Sequence, residues 1–241
     1  DTPIKDMFAD LKDKIALSAK TNDAYYVPNI IEFCESKKYL NLGQEKIKLY
    51  PFQRIILKIF YRGQKGNENL RLNEEELDIL RQEKMDQVIQ KYNSGSLFRE
   101  LVLVLGRRGG KDFLTSLIAL YEAMMILECP GGNPFQYYEL ASGNPICILT
   151  VATSGDQAKV LFNEIRTRMQ QSEYFRNKIG KMESDRIFLL TPDDKEKNKK
   201  FIESEFTDAV SPGSVMILSG HSNSDGLLGK RLFALLLDEV A

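Results

Sequence analysis

LVLVLGRRGGKD, residues 101–112, joins a five-residue apolar run to a loop of glycine and arginine, and Phe113–Leu127 follows as a helix with apolar residues on most faces. Strand, glycine loop and helix in that order form the context in which consecutive backbone N–H groups curl around a phosphate at a helix N-terminus. The usual pattern is Gly, four residues, then Gly-Lys and a hydroxyl residue. Counted back from Gly110-Lys111, the first glycine falls due at position 105, where the chain has Leu105 and the glycine is displaced to Gly106. The hydroxyl position holds Asp112. The string departs from the pattern at both ends, while its placement between strand and helix is the one the pattern requires.

Composition limits what surrounds this loop. A chain of 241 residues that is 43% hydrophobic can bury a substantial core as one large domain or two smaller ones. With 33 basic and 34 acidic residues, any contact with a polyanion must come from a local patch. No apolar run approaches the roughly 18 to 20 residues of a membrane span, and the opening DTPIKDMFADLKDK lacks the apolar centre of a signal peptide, so a soluble, intracellular chain is expected. Cys34, Cys129 and Cys147 stand far apart in no metal-ligand spacing, as buried thiols do. His221 is the one histidine, which excludes a zinc site built on several, and a Ser-His-Asp triad would have to use it.

Period and capping signals predict the elements. Residues 1–48 are mixed and charged, with an amphipathic helix near Ile30–Lys38, and read as a helical lead-in or lid; the core is expected over 49–241. NEEELDILRQEKMDQVIQKY, from Asn73, carries a capping box in Asn73 and Glu76 and apolar residues at 77, 80, 85, 88, 89 and 92, which predicts one amphipathic helix with a solvated outer face. Pro145–Ala152 is a second buried strand, followed by a helix whose start is marked by Ser154 and Gln157. Asp185–Leu190, Ser214–Ser219 and Leu232–Leu237 are further strands, and TPDDKEKNKK, 191–200, reads as a mobile polar loop or hairpin tip. Uninterrupted apolar strands interleaved with helices imply a mostly parallel sheet covered on both faces.

A phosphate loop needs an acidic partner at the end of another buried strand, and LFALLLDE, 232–239, supplies one. Asp238 would bind Mg²⁺, largely through water, and Glu239 would orient and polarise the attacking water.

GRRGGKD after a strand, LLLDE on a later strand and Tyr50-Pro-Phe-Gln-Arg54 well upstream together resemble the ATPase domain of the large terminase subunit, the DNA-packaging motor of tailed bacteriophages, over roughly 50–241. That family carries a deviant loop with an arginine directly after its first small residue, which Arg107 after Gly106 matches. ILTVATSGDQAKVLFNEI is similar to the family's segment between the two motifs. The resemblance implies an α/β P-loop NTPase core of RecA or helicase-like type, preceded by a helical segment. It implies ATP and Mg²⁺ as cofactors, double-stranded DNA, a portal protein and a small terminase subunit as partners, and a homo-oligomeric ring at the procapsid portal in the host cytoplasm.

Carried over residue by residue, Lys111 would contact the β and γ phosphates, which the backbone of Gly109, Gly110, Lys111 and Asp112 would cradle, with Gly106 and Phe113 flanking them. Arg107 would stabilise charge on the transferring group, and Arg108 lies beside it. Gln53 would read the adenine edge, since an amide both donates and accepts, and Phe52 or Tyr50 could pack on the base. Asp112 is a possible Mg²⁺ ligand with Asp238, yet at about 4 Å and an effective dielectric of about 20, its charge repels a phosphate charge by about 4 kcal/mol, so either a metal lies between them or Asp112 turns away. Family members often carry an arginine just before Gly229, where this chain has Leu228, leaving Lys230 or Arg231 as substitutes. The sequence stops at Ala241, ahead of the family's coupling motif and nuclease domain, as a truncated core would. The expected activity is ATP hydrolysis coupled to DNA translocation. The alternatives are a helicase-like nucleic-acid-dependent ATPase and a nucleotide-binding module without turnover.

Overall fold

The computed structural model describes residues 26–43, 47–106, 109–221 and 229–238. In chain order the helices are α1 (Ile30–Glu35), α2 (Pro51–Phe60), α3 (Glu74–Gln82), α4 (Asp86–Asn93), α5 (Lys111–Leu127), α6 (Pro134–Tyr137), α7 (Gly155–Gln171), α8 (Glu173–Arg176) and α9 (Pro192–Glu203). The strands are β1 (Ile146–Ala152), β2 (Ile179–Met182), β3 (Arg186–Leu189), β4 (Val215–His221) and β5 (Arg231–Asp238), arranged β2-β3-β4-β1-β5 in one sheet.

β1 lies at the centre of the parallel part, paired with β4 on one side and β5 on the other. ICILTVA is buried at every position, as a strand with neighbours on both edges and packing on both faces must be. Its alternate residues divide between two clusters. Ile146 and Ile148 face α5 and α7 together with Ile187, Leu189, Val215 and Ile217, whereas Cys147, Leu149 and Val151 join Met216 and Leu218 on the opposite face. β2 and β3 extend the sheet antiparallel beyond β4, so the sheet is mixed with a parallel centre.

Leu101–Leu105 is a correction to the expected strand: it forms no ladder with the sheet. Leu101 and Leu103 pack against the main core while Val102 and Val104 are 83% and 92% exposed, the period-two alternation of extended backbone. Alternation and hydrophobicity specify the conformation of such a run but not a hydrogen-bonding partner. β5 is the outer strand on this side and exposes Leu232, Leu235 and Leu237.

Two other expectations are corrected. The helix expected from Asn73 is two, α3 and α4, broken where Lys84 takes a left-handed φ of 58°. The five-residue step from Leu80 to Met85 already breaks the three-and-four spacing that a single helix needs. The expected loop 191–200 belongs to α9, where Thr191 caps the helix, Pro192 occupies its first position and Asp193 and Asp194 its first turn.

Val27, Ile30, Phe33, Cys34 and Tyr39 belong to the same core as α5. The join is polar at one point: Ile30 N–H donates to Asn67 Oδ1 (2.9 Å), Asn67 Nδ2 to the Tyr121 hydroxyl (2.7 Å), and that hydroxyl to the Pro28 carbonyl (2.9 Å). All three cysteines are free and buried, and burial pushes the Cys129 and Cys147 thiols up to about 11. Among the described residues, no helix is long and apolar enough to cross a membrane.

Candidate functional site

Parallel pairing of β1 and β5 brings their carboxyl ends to the same edge of the sheet, with Ala152 directly opposite Asp238. Ligands of open α/β sheets gather outside that edge. The loop before α5 turns into it. Gly109 N–H donates to the Gly106 carbonyl at 2.9 Å. A side chain at 109 would meet the Gly106 oxygen and Leu105 Cβ, both 2.9 Å from its Cβ.

Gly110 then begins the helix at φ 72°, a left-handed conformation that glycine adopts without steric cost. No side chain caps this start, and the first backbone bond into the helix is Leu114 N–H to the Gly110 carbonyl at 3.0 Å. The first turn of a 17-residue helix and its dipole therefore stand at this edge, an arrangement that favours an anion.

Lys111 Nζ lies 3.1 Å from Asp238 Oδ1, with their side chains 29% and 14% exposed. This contact unites the two halves of the site, widely separated in sequence. Asp112 occupies the first turn of α5, where a carboxylate suits the helix dipole. Among the described residues, no group of three or more His, Cys, Asp or Glu could hold a metal ion. Mg²⁺ is typically bound through one or two carboxylates plus phosphate oxygens, so Asp238 beside a phosphate loop fits it without a protein cage. Phe113 lies under the Arg168 guanidinium, 4.5 Å from ring centroid to guanidinium carbon, and packs on the core, which leaves its backbone N–H as what it can offer a phosphate.

Gln53 sits in the first turn of α2 and is 6% exposed. Its Oε1 accepts from Tyr50 N–H at 3.0 Å, and its Nε2 lies 3.0 Å from where a Cβ on Gly110 would be. Phe52 packs against the cluster of Ile55, Ile59, Leu80 and Tyr92, whereas Tyr50 is exposed. Arg231 donates to the carbonyls of Ala141 and Asn144 at the start of β5, about 23 Å from Asp238 for seven residues of strand. Arg107, Arg108, Leu228 and Glu239 lie outside the described residues.

Some neighbours were not expected at the site from sequence. Thr153, Ser154 and Gln157 follow β1 immediately beyond the Ala152–Asp238 pair, and Gln157 Oε1 accepts from Thr153 Oγ1 at 2.5 Å. Their signal was a Thr-Ser-Gly following a buried strand, which also reads as a helix start and nothing more. Arg168 is buried, paired with Glu164 at 2.5 Å and placed against Phe113 behind the loop.

A family model matches residues 8–241, under the description "Uncharacterized protein MJ0330, N-terminal P-loop domain". The chain belongs to this family. The chain is accordingly a P-loop domain, a nucleotide-binding fold, and the α/β architecture expected from the sequence agrees with it. No curated protein matches the chain, and no solved structure does.

Proposed function

We propose that this P-loop domain hydrolyses Mg-ATP and is the ATPase of a terminase-type motor that moves double-stranded DNA. The observation that supports hydrolysis is the 3.1 Å contact between Lys111 Nζ and Asp238 Oδ1 at the start of α5, where the proposal gives Lys111 the phosphates and Asp238 the metal. Lys111 and the N–H groups at the start of α5 hold the phosphate oxygens. Bound Mg²⁺ would neutralise charge on the phosphates and orient them. Glu239, the residue after Asp238, takes the proton of the attacking water, and Arg107 stabilises charge on the transferring phosphoryl group.

The motor reading is supported by the order of PFQR, GRRGGKD and LLLDE along the chain, since the family's description names no substrate. On that reading, DNA, a portal protein and a small subunit are partners of a ring of identical subunits, acting at the procapsid in the host cytoplasm. Asp112, in place of a hydroxyl, favours a second reading, a nucleotide-binding module that does not turn over. Multiple-turnover phosphate release decides between them. Release by the wild type, stimulated by double-stranded DNA and lost in Glu239→Gln, is expected. A wild type that binds Mg-ATP without turnover would favour the module, and unchanged turnover in Glu239→Gln would remove Glu239 from the mechanism.

A further inference from the structure

We infer that Gln53 is a positioning residue of the phosphate loop, holding Gly110 through its side-chain amide, and that it acts independently of the base. This rests on the reading of residues 106–113 as a phosphate loop. An amide that reads adenine offers Oε1 and Nε2 together on an accessible edge. Here the residue is 6% exposed and its Oε1 accepts from Tyr50 N–H at 3.0 Å, satisfying one of the donors that the start of α2 leaves open. The other end of the amide is turned to the loop, with Nε2 3.0 Å from the position of a Cβ on Gly110.

Gly110 is thus held to glycine by a φ of 72°, and the Gln53 amide sits close against the space a side chain would need. The same conformational freedom makes a glycine loop costly to order, because glycine loses more backbone entropy on fixing than any other residue. A buried amide wedged against Gly110 and anchored at its other end to the backbone of α2 restrains the loop before phosphate arrives. Restraint of this kind raises affinity by lowering the ordering cost that binding must otherwise meet. The energy belongs to the phosphate end of the ligand, and the base takes no part in it.

Inorganic tripolyphosphate, which has neither base nor sugar, separates the two roles. Titration calorimetry of the 241-residue chain with Mg-ATP and with Mg-tripolyphosphate is expected to show Gln53→Ala weakening both by the same factor, about tenfold for the ordering cost that binding must then meet. Loss of ATP affinity with tripolyphosphate unchanged would assign the amide to the base and overturn the proposal, as would unchanged affinity for both. Gln53→Met, which keeps the length and apolar stem of the side chain without the amide, guards against a simple cavity defect. Confirmed folded by circular dichroism, it is expected to lose affinity for both ligands, and wild-type binding of tripolyphosphate by Gln53→Met would contradict the assignment. Lys111→Ala, run alongside, tests the loop itself: if it binds tripolyphosphate as the wild type does, the phosphate-loop reading fails, and the role of Gln53 with it.

Discussion

Asp112 stands where a phosphate loop usually places a hydroxyl, and its place in the first turn of α5 gives it a structural role there, because a carboxylate at a helix N-terminus is stabilised by the dipole. Toward a triphosphate the same charge is repulsive unless a cation intervenes. Asp112→Ser is therefore expected to retain Mg-ATP binding and to show a weaker dependence of affinity on Mg²⁺ concentration, measured by titration at several Mg²⁺ levels. A loss of affinity of a hundredfold or more would instead make the carboxylate a required ligand. At this scale the sequence was informative about where Lys111 and Asp238 stand, since both depend on elements that apolar runs specify. It was less informative about Gln53 and Arg168, whose surroundings come from across space: the Gly110 backbone for one and the Phe113 ring for the other.

Helix α9 shows how an element escapes a reading by composition. Its residues are charge-dense and lack an apolar stripe, so they read as a loop. The spacing of those charges is nevertheless helical, with Asp193–Lys197 at 2.7 Å and Glu196–Lys200 at 2.6 Å, each four residues apart. Asp194 fastens the helix to the sheet. Its carboxylate, 4% exposed, accepts from Thr191 N–H (2.9 Å), Ser214 N–H (2.9 Å) and the Ser214 hydroxyl (2.6 Å) at the entrance to β4. Asp194→Ala would strand those donors, and a loss of about 3 kcal/mol in urea denaturation is expected. A change below about 0.5 kcal/mol would show that water replaces the carboxylate. Strand β2 was hidden for a different reason. IGKM neither alternates nor runs apolar, and it is a strand because β3 offers it an antiparallel edge. The break between α3 and α4 was legible in the five-residue step and was overridden by the charge pattern around it.

One core takes in α1, α2, α5, α7 and the strands, and it buries a few polar groups along with its apolar side chains. Glu122 on α5 accepts from the Tyr61 hydroxyl at 2.7 Å; burial raises its carboxyl above the usual range, and the hydroxyl partly opposes that. A carboxyl whose folded-state value is raised contributes stability below the ordinary carboxylate range, and the contribution is lost as pH rises through the raised value. Glu122→Gln keeps an acceptor for Tyr61 without the charge. Its melting temperature relative to the wild type is expected to climb as pH rises from about 4 toward 8. A constant difference across that range would mean that Glu122 does not titrate differently on folding. The parallel centre of the sheet was legible from uninterrupted apolar runs, whereas the outer place of β5 among the described strands was not, because LFALLLD reads the same in an inner strand as in an outer one.

The whole architecture bears on function by delivering Lys111 from the loop and Asp238 from β5 to one helix N-terminus. Calorimetric titration of Mg-ATP into the wild type and Lys111→Ala tests that directly. Saturable binding by the wild type, with no detectable heat from a folded Lys111→Ala, is the predicted result. Equal affinity in the two proteins would contradict a phosphate site at the start of α5.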